Sequence, residues 1–105
     1  MKQKQKIREQ FRIDVFKRDK NKCVMCGAAK GKLDAHHITD RNLMPNGGYV
    51  KENGITLCED KCHIKAEKFH ITEGKEWEDG FHPNDLYKKI GVSYDKAYKS
   101  SLKLE

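Results

Sequence analysis

Two stretches decide the reading of this chain: Leu33-Asp34-Ala35-His36-His37-Ile38, and Asn53-Gly54-Ile55-Thr56-Leu57-Cys58 followed closely by Cys62-His63. The first reads as a short strand over 33–38. Pro45, Asn46-Gly47-Gly48 and Asn53-Gly54 are turn formers, so residues 40–54 read as a loop and Ile55-Thr56-Leu57 as the returning strand. A helix is expected from about Asp60 to Phe69, its acidic start suiting the positive end of a helix. The expected core is strand, loop, strand, helix.

Outward from this core, Ile7, Phe11 and Val15 recur at four-residue steps with Phe16 on the flank, which predicts an amphipathic helix from Ile7 to Lys20. Residues 1–6 are polar and expected to be disordered. Asn21 breaks the helix, and Cys23-Val24-Met25-Cys26-Gly27 reads as a tight knuckle in which Gly27 turns the backbone with positive φ. Residues 72–82 read as a loop. Pro83 opens a helix that ends near Gly91, and Ser93 caps a last one through Leu104. The 105 residues thus make one α+β domain, with its core over 7–70 and a C-terminal helical extension over 71–105. Trp77, Phe81, Leu86, Tyr87 and Tyr94 in that extension are expected to be core, with docking to a partner as the other use.

Apolar and charged residues each make up 36% of the chain, a thin supply of core that a structural metal would supplement. The net charge of +6 points to an anionic partner. Residues 1–32 hold eleven Lys/Arg against three Asp/Glu, whereas residues 33–82 hold six against ten. A basic arm beside an acidic middle suits a phosphate-gripping flank and a cation-holding centre. Arg8, Arg12, Lys17, Arg18, Lys20 and Lys22 are the candidate phosphate contacts, with Lys88, Lys89, Lys96 and Lys99 as a second stripe. Such contacts give sequence-neutral affinity. No stretch approaches membrane-spanning length, and Met1-Lys2-Gln3-Lys4-Gln5-Lys6 leads into no apolar signal core, so an intracellular, cytoplasmic setting is expected.

In a reducing compartment four paired cysteines read as metal ligands rather than disulfides. Cys23/Cys26 and Cys58/Cys62 can converge on one tetrahedral zinc, since zinc takes four soft ligands. The second pair has three residues between its members, one more than is common.

Ala35-His36-His37-Ile38, Asn53 through Cys58, and Cys62-His63 together resemble the HNH endonucleases, whose core is a ββα-metal unit related to the treble clef. The resemblance covers roughly residues 10–70, with His37, Asn53 and His63 in the positions that name the family. The chain departs from it in the wide Cys58/Cys62 spacing and in carrying histidine at 36, where many members have aspartate. The resemblance implies that His36 binds a catalytic metal, that His37 is the general base, and that Asn53 braces the hairpin and orients that base. The residues agree in outline: neighbours on a strand point to opposite sides, so one histidine can ligate while the other reaches water. His63, early in its helix, would join the metal, and Glu67 one turn later would complete the site or hold a metal water. His70 is expected to be structural, and His82 a turn residue.

The implied activity is hydrolysis of DNA phosphodiester bonds by one divalent cation (Mg2+, Mn2+, Ni2+ or Zn2+) besides the structural zinc, in a monomer or homodimer. Two other classes fit part of the pattern. A non-catalytic zinc-finger module that binds nucleic acid would explain the cysteines and the charge but not the histidines with Asn53. A nuclease subunit of a larger phage or restriction assembly would need a protein partner to act.

Overall fold

Leu33–His37 (β1) and Gly54–Cys58 (β2) pair antiparallel, with Leu33 opposite Cys58, Ala35 opposite Thr56 and His37 opposite Gly54. The computed structural model describes residues 2–104, without the side chains of residues 2 and 3. A lone two-stranded hairpin is marginal in water, so both of its faces must be covered. Helix α1 (Lys2–Arg18) covers one face and α2 (Cys62–Ile71) the other. The remaining helices, α3 (Pro83–Ile90) and α4 (Tyr94–Leu102), close the larger side. This is a small α+β fold with four helices and one two-stranded sheet among the described residues.

Strand alternation divides the core in two. Ala35 packs with Phe11 and Val15 on the α1 side. Ile55 and Leu57 join Ile38, Ala66, Leu86, Tyr87 and Ala97 on the other. The C-terminal extension is therefore integral to the core rather than appended to it. Of its expected core residues, Phe81, Leu86 and Tyr87 are buried, whereas Trp77 and Tyr94 are each 46% exposed. No helix of the described residues is long and apolar enough to cross a membrane.

The boundaries depart from expectation for local reasons. Residues 1–6 were expected to lack structure, but α1 begins at Lys2. Lysine and glutamine are good helix formers, so their alternation here extends the helix; Met1 lies outside the described residues. At its other end α1 stops at Arg18, two residues before the expected Lys20. Lys20 takes a left-handed conformation (φ 58°), and the N–H of Asn21 returns to the Phe16 carbonyl at 2.9 Å while that of Lys20 returns to Lys17 at 3.2 Å. That pair of bonds satisfies the last carbonyls and ends the helix. The expected loop 40–54 contains three short 3-10 turns, at 41–43, 45–48 and 51–53.

The contact between α1 and the hairpin is close because Gly54 has no side chain. Its φ of −128° is ordinary extended backbone, so the requirement is for space. A Cβ there would lie 2.5 Å from Val15 Cγ2 and 2.7 Å from Phe11 Cε1. Arg18 secures the same contact. Its guanidinium donates to the carbonyls of Lys51 at 2.6 Å and Gly54 at 2.7 Å, and pairs with Asp19 at 2.7 Å. Asp19 in turn accepts the Thr56 N–H at 2.9 Å. Gly54→Ala should therefore cost about 1–3 kcal/mol through overpacking. Urea denaturation checks this; an unchanged midpoint would contradict the docking of α1.

Candidate functional site

The four cysteine sulfurs converge. Cys23 and Cys26 come from the knuckle after α1, Cys58 from the end of β2 and Cys62 from the start of α2. All four ligand atoms lie within 4.8 Å of one another, and Cys26 Sγ is 3.8 Å from Cys58 Sγ. No disulfide joins them. The knuckle is tightened by the Gly27 N–H on the Cys23 carbonyl at 2.8 Å and the Cys23 N–H on the Ala28 carbonyl at 2.9 Å. The wide second spacing is accommodated because α2 starts at Cys62 itself, two residues later than expected, and its first N–H donates to Cys58 Sγ at 3.3 Å. Burial opposes ionising Cys23, but the backbone around Cys26, Cys58 and Met25 outweighs it and brings this thiol down to about 7. Burial pushes Cys62 up, and the other three thiols push it further. Four sulfurs this close cannot all ionise alone. A divalent soft cation removes that conflict, so the donor set fits zinc or a similar metal.

The second cluster lies between β1 and α2. His36 is 2% exposed, and its Nδ1 is 3.9 Å from Glu67 Oε1. His63 Nε2 is 3.2 Å from that same oxygen. One donor atom each from His36, His63 and Glu67 falls within 4.8 Å of the others, a spacing that can hold a metal. Strand β1 puts His36 on the α2 side, and the i, i+4 step brings His63 and Glu67 together across from it. Burial, then the charges of His70, His63 and His37, push His36 well below the ordinary histidine range.

His37 points to the opposite side, as expected of a strand neighbour. Its ring stacks on Phe11 (4.5 Å between centroids) and meets Tyr49 edge-on at 4.7 Å. Both histidines nevertheless line one cleft of about 420 Å³ with His63 and Glu67. The sequence alone places His37 near the usual histidine value. In the fold, burial and then Arg41 bring it down to about 4, so the ring is neutral at pH 7. The Nε2 atoms of His36 and His37 are buried with no hydrogen-bond partner.

Asn53 is fully buried and clamps the loop that follows His37. Its Oδ1 accepts from the Thr39 N–H at 2.9 Å and the Tyr87 hydroxyl at 2.7 Å, while its Nδ2 donates to the carbonyls of Thr39 at 3.1 Å and Gly48 at 3.2 Å. The Asn53 carbonyl also accepts the Ile38 N–H at 2.9 Å. An asparagine can serve all these bonds because it both donates and accepts.

Among the basic candidates, Arg8 lies over the Tyr49 ring at 5.6 Å and Arg12 over Phe16 at 5.6 Å. Lys17, Lys20 and Lys22 are exposed, as are Lys88, Lys89, Lys96 and Lys99. Arg18 differs, since its guanidinium is engaged by Asp19 and two backbone carbonyls. His70 lies in the cleft wall, stacked on His36 at 5.1 Å with Nε2 2.9 Å from the His37 carbonyl. His82 caps α3, its Nδ1 accepting the Asn84 N–H at 3.1 Å. Three further residues belong to the cleft surroundings. Asp34 sits 3.1 Å from His63 Nε2, Arg41 donates to the Tyr49 hydroxyl at 3.0 Å, and Tyr49 touches His37. Asp34 carried a signal in the sequence, two residues before His36 on one strand face. Arg41 and Tyr49 carried none, because the loop geometry places them.

No protein family, curated protein or solved structure matches this chain.

With zinc supplied, the cysteine cluster should hold about one ion per chain. Cys62→Ala should lose that ion and lower the melting temperature by on the order of 10 °C or more. Elemental analysis and thermal melts check both; an unchanged melt would make the cluster dispensable.

Proposed function

We propose that this chain is a metal-dependent endonuclease of the HNH, ββα-metal type, hydrolysing DNA phosphodiester bonds. The observation that carries the reading is the meeting, in one cleft, of His37 with the His36–His63–Glu67 cluster. A zinc-binding module has no need of that second cluster. His36, His63 and Glu67 would hold the cation, which when bound supplies Lewis-acid stabilisation of charge on the phosphate and the leaving oxygen. Every other task falls to the chain itself.

His37 takes the proton from the attacking water. Its ring is held between Phe11 and Tyr49, which leaves it little freedom to turn. Asn53 acts through the backbone by fixing Thr39, two residues after the base, and so is a positioning residue. The start of α2 faces the cleft at His63, where its positive end favours an anion. Exposed cations on α1 and its following turn (Arg8, Arg12, Lys17, Lys20 and Lys22) would grip flanking phosphates, giving salt-sensitive affinity with little sequence preference.

His37→Ala should lower plasmid cleavage by about 10²–10⁴-fold, the usual contribution of a general base. Zinc content should stay at the wild-type value and the fold should be retained, with the melting temperature lowered only by the loss of the ring's packing on Phe11 and Tyr49. Undiminished cutting by the purified variant would remove His37 from the mechanism. Failure of folded, zinc-loaded wild type to cut with Mg2+, Mn2+, Ni2+ or Zn2+ would favour the binding module or a subunit awaiting a partner.

A further inference from the structure

The cleft that holds His36, His37, His63 and Glu67 carries more negative than positive charge. Asp34, Asp40 and Glu67 line it, and among its described lining residues Arg41 alone has a fixed positive charge. An anion that enters this cleft therefore needs Arg41 as well as a cation on the histidines.

Arg41 uses little of its hydrogen-bonding capacity within the protein. A guanidinium has five N–H groups. One of them, on Nη1, donates to the Tyr49 hydroxyl at 3.0 Å, and among the described residues no ion pair engages the group. Its neighbour Asp40 is occupied elsewhere, since Oδ1 accepts the Asn42 N–H at 3.1 Å and caps the first 3-10 turn. Arg18 shows the contrast: its guanidinium is bound by Asp19 and by two backbone carbonyls. Arg18 is structural, whereas Arg41 is exposed with most of its donors free for a ligand.

The side chain is nevertheless held at both ends. At its root, the Arg41 carbonyl accepts the N–H of buried Met44 at 3.3 Å. At its tip, Tyr49 is itself wedged edge-on against His37 at 4.7 Å and Phe11 at 5.7 Å. One residue thus touches the base with its ring and the guanidinium with its hydroxyl, which fixes the two relative to each other. A donor oriented in advance needs little rearrangement as charge develops. Arg8, a candidate grip on a flanking phosphate, stands over the same ring at 5.6 Å, so Tyr49 also joins the cleft to the cations of α1.

We propose that Arg41 is a further catalytic residue, its planar fork clamping two oxygens of the DNA phosphate that enters the cleft. The fork matches a phosphate bidentately, as the point charge of a lysine does not. This inference rests on the nuclease reading given above.

The test pairs binding with turnover in the zinc-loaded full chain with Mn2+. Binding is read by fluorescence anisotropy on a short phosphorothioate duplex, which keeps the backbone charge and resists hydrolysis. Arg41→Gln should flatten the slope of log affinity against log salt by about 0.9, the share of one phosphate, and weaken binding about tenfold near 0.1 M salt. Its kcat on plasmid DNA should fall about 100-fold or more. Arg41→Lys should restore the salt slope but not kcat. Tyr49→Phe keeps the ring against His37 and should keep the slope, with a smaller loss of kcat than Arg41→Gln. A wild-type slope in Arg41→Gln, with losses equal to those of Tyr49→Phe, would mean that Arg41 serves only to hold Tyr49. That result overturns the inference and leaves the nuclease reading intact, as does wild-type kcat in Arg41→Gln. Wild type that binds no DNA overturns both. DNA binding that depends on Arg41, in a protein that cuts with no metal, upholds the phosphate contact and removes the nuclease reading.

Discussion

Four sulfurs drawn to one point determine where α2 begins, and most of the molecule follows from that. Cys58 ends β2 and Cys62 opens α2, so the turn between them has no freedom once both face Cys23 and Cys26. The Cys62 N–H on Cys58 Sγ caps the helix with a sulfur where no side chain of Lys61 does so. His63 and Glu67 then fall opposite His36 because their positions on α2 are counted from Cys62. A chain with so few apolar residues gains rigidity here that its core alone does not provide.

The other end of the hairpin is held by polar contacts. Asn53 ties the loop at Thr39 and Gly48, and Tyr87 of α3 reaches in to share its oxygen. Burial raises Tyr87 to about 12, keeping its hydroxyl a donor through the physiological range. Asn46 Nδ2 donates to the carbonyls of Ser101 and Leu104 at 2.9 and 3.0 Å, fastening the last turn of α4 and the residues just after it to the same loop. The C-terminal helices therefore act on the cleft at a distance, by fixing the loop after His37. Between a sulfur-held end and an amide-held end, β1 presents His36 to one side and His37 to the other.

The local rules exposed much of this. Four-residue spacing of Ile7, Phe11 and Val15 indicated α1, Pro83 and Ser93 marked the later helices, and the turn residues bounded the two strands. The cysteine pairs and the opposition of His36 and His37 followed from spacing and strand alternation. What stayed hidden depended on long-range contact. Gly54 looked like a turn glycine, but its role is to let α1 approach. Arg18 looked like one more cation, but Asp19 and the β2 backbone engage it. Arg41 lines the cleft where the loop begins, and Tyr49 reaches the His37 ring because the 3-10 turns over residues 41–53 fold the loop back, and nothing in composition encodes that path.

The most direct test of the account is anomalous diffraction from crystals of the zinc-loaded protein grown with Mn2+ and a short DNA duplex. The account predicts zinc among Cys23, Cys26, Cys58 and Cys62, and a second ion bounded by His36, His63 and Glu67. A backbone phosphate should lie against that ion, with the His37 ring within reach of a water beside it. A cleft with no second ion, and DNA bound on another face of the molecule, would contradict it.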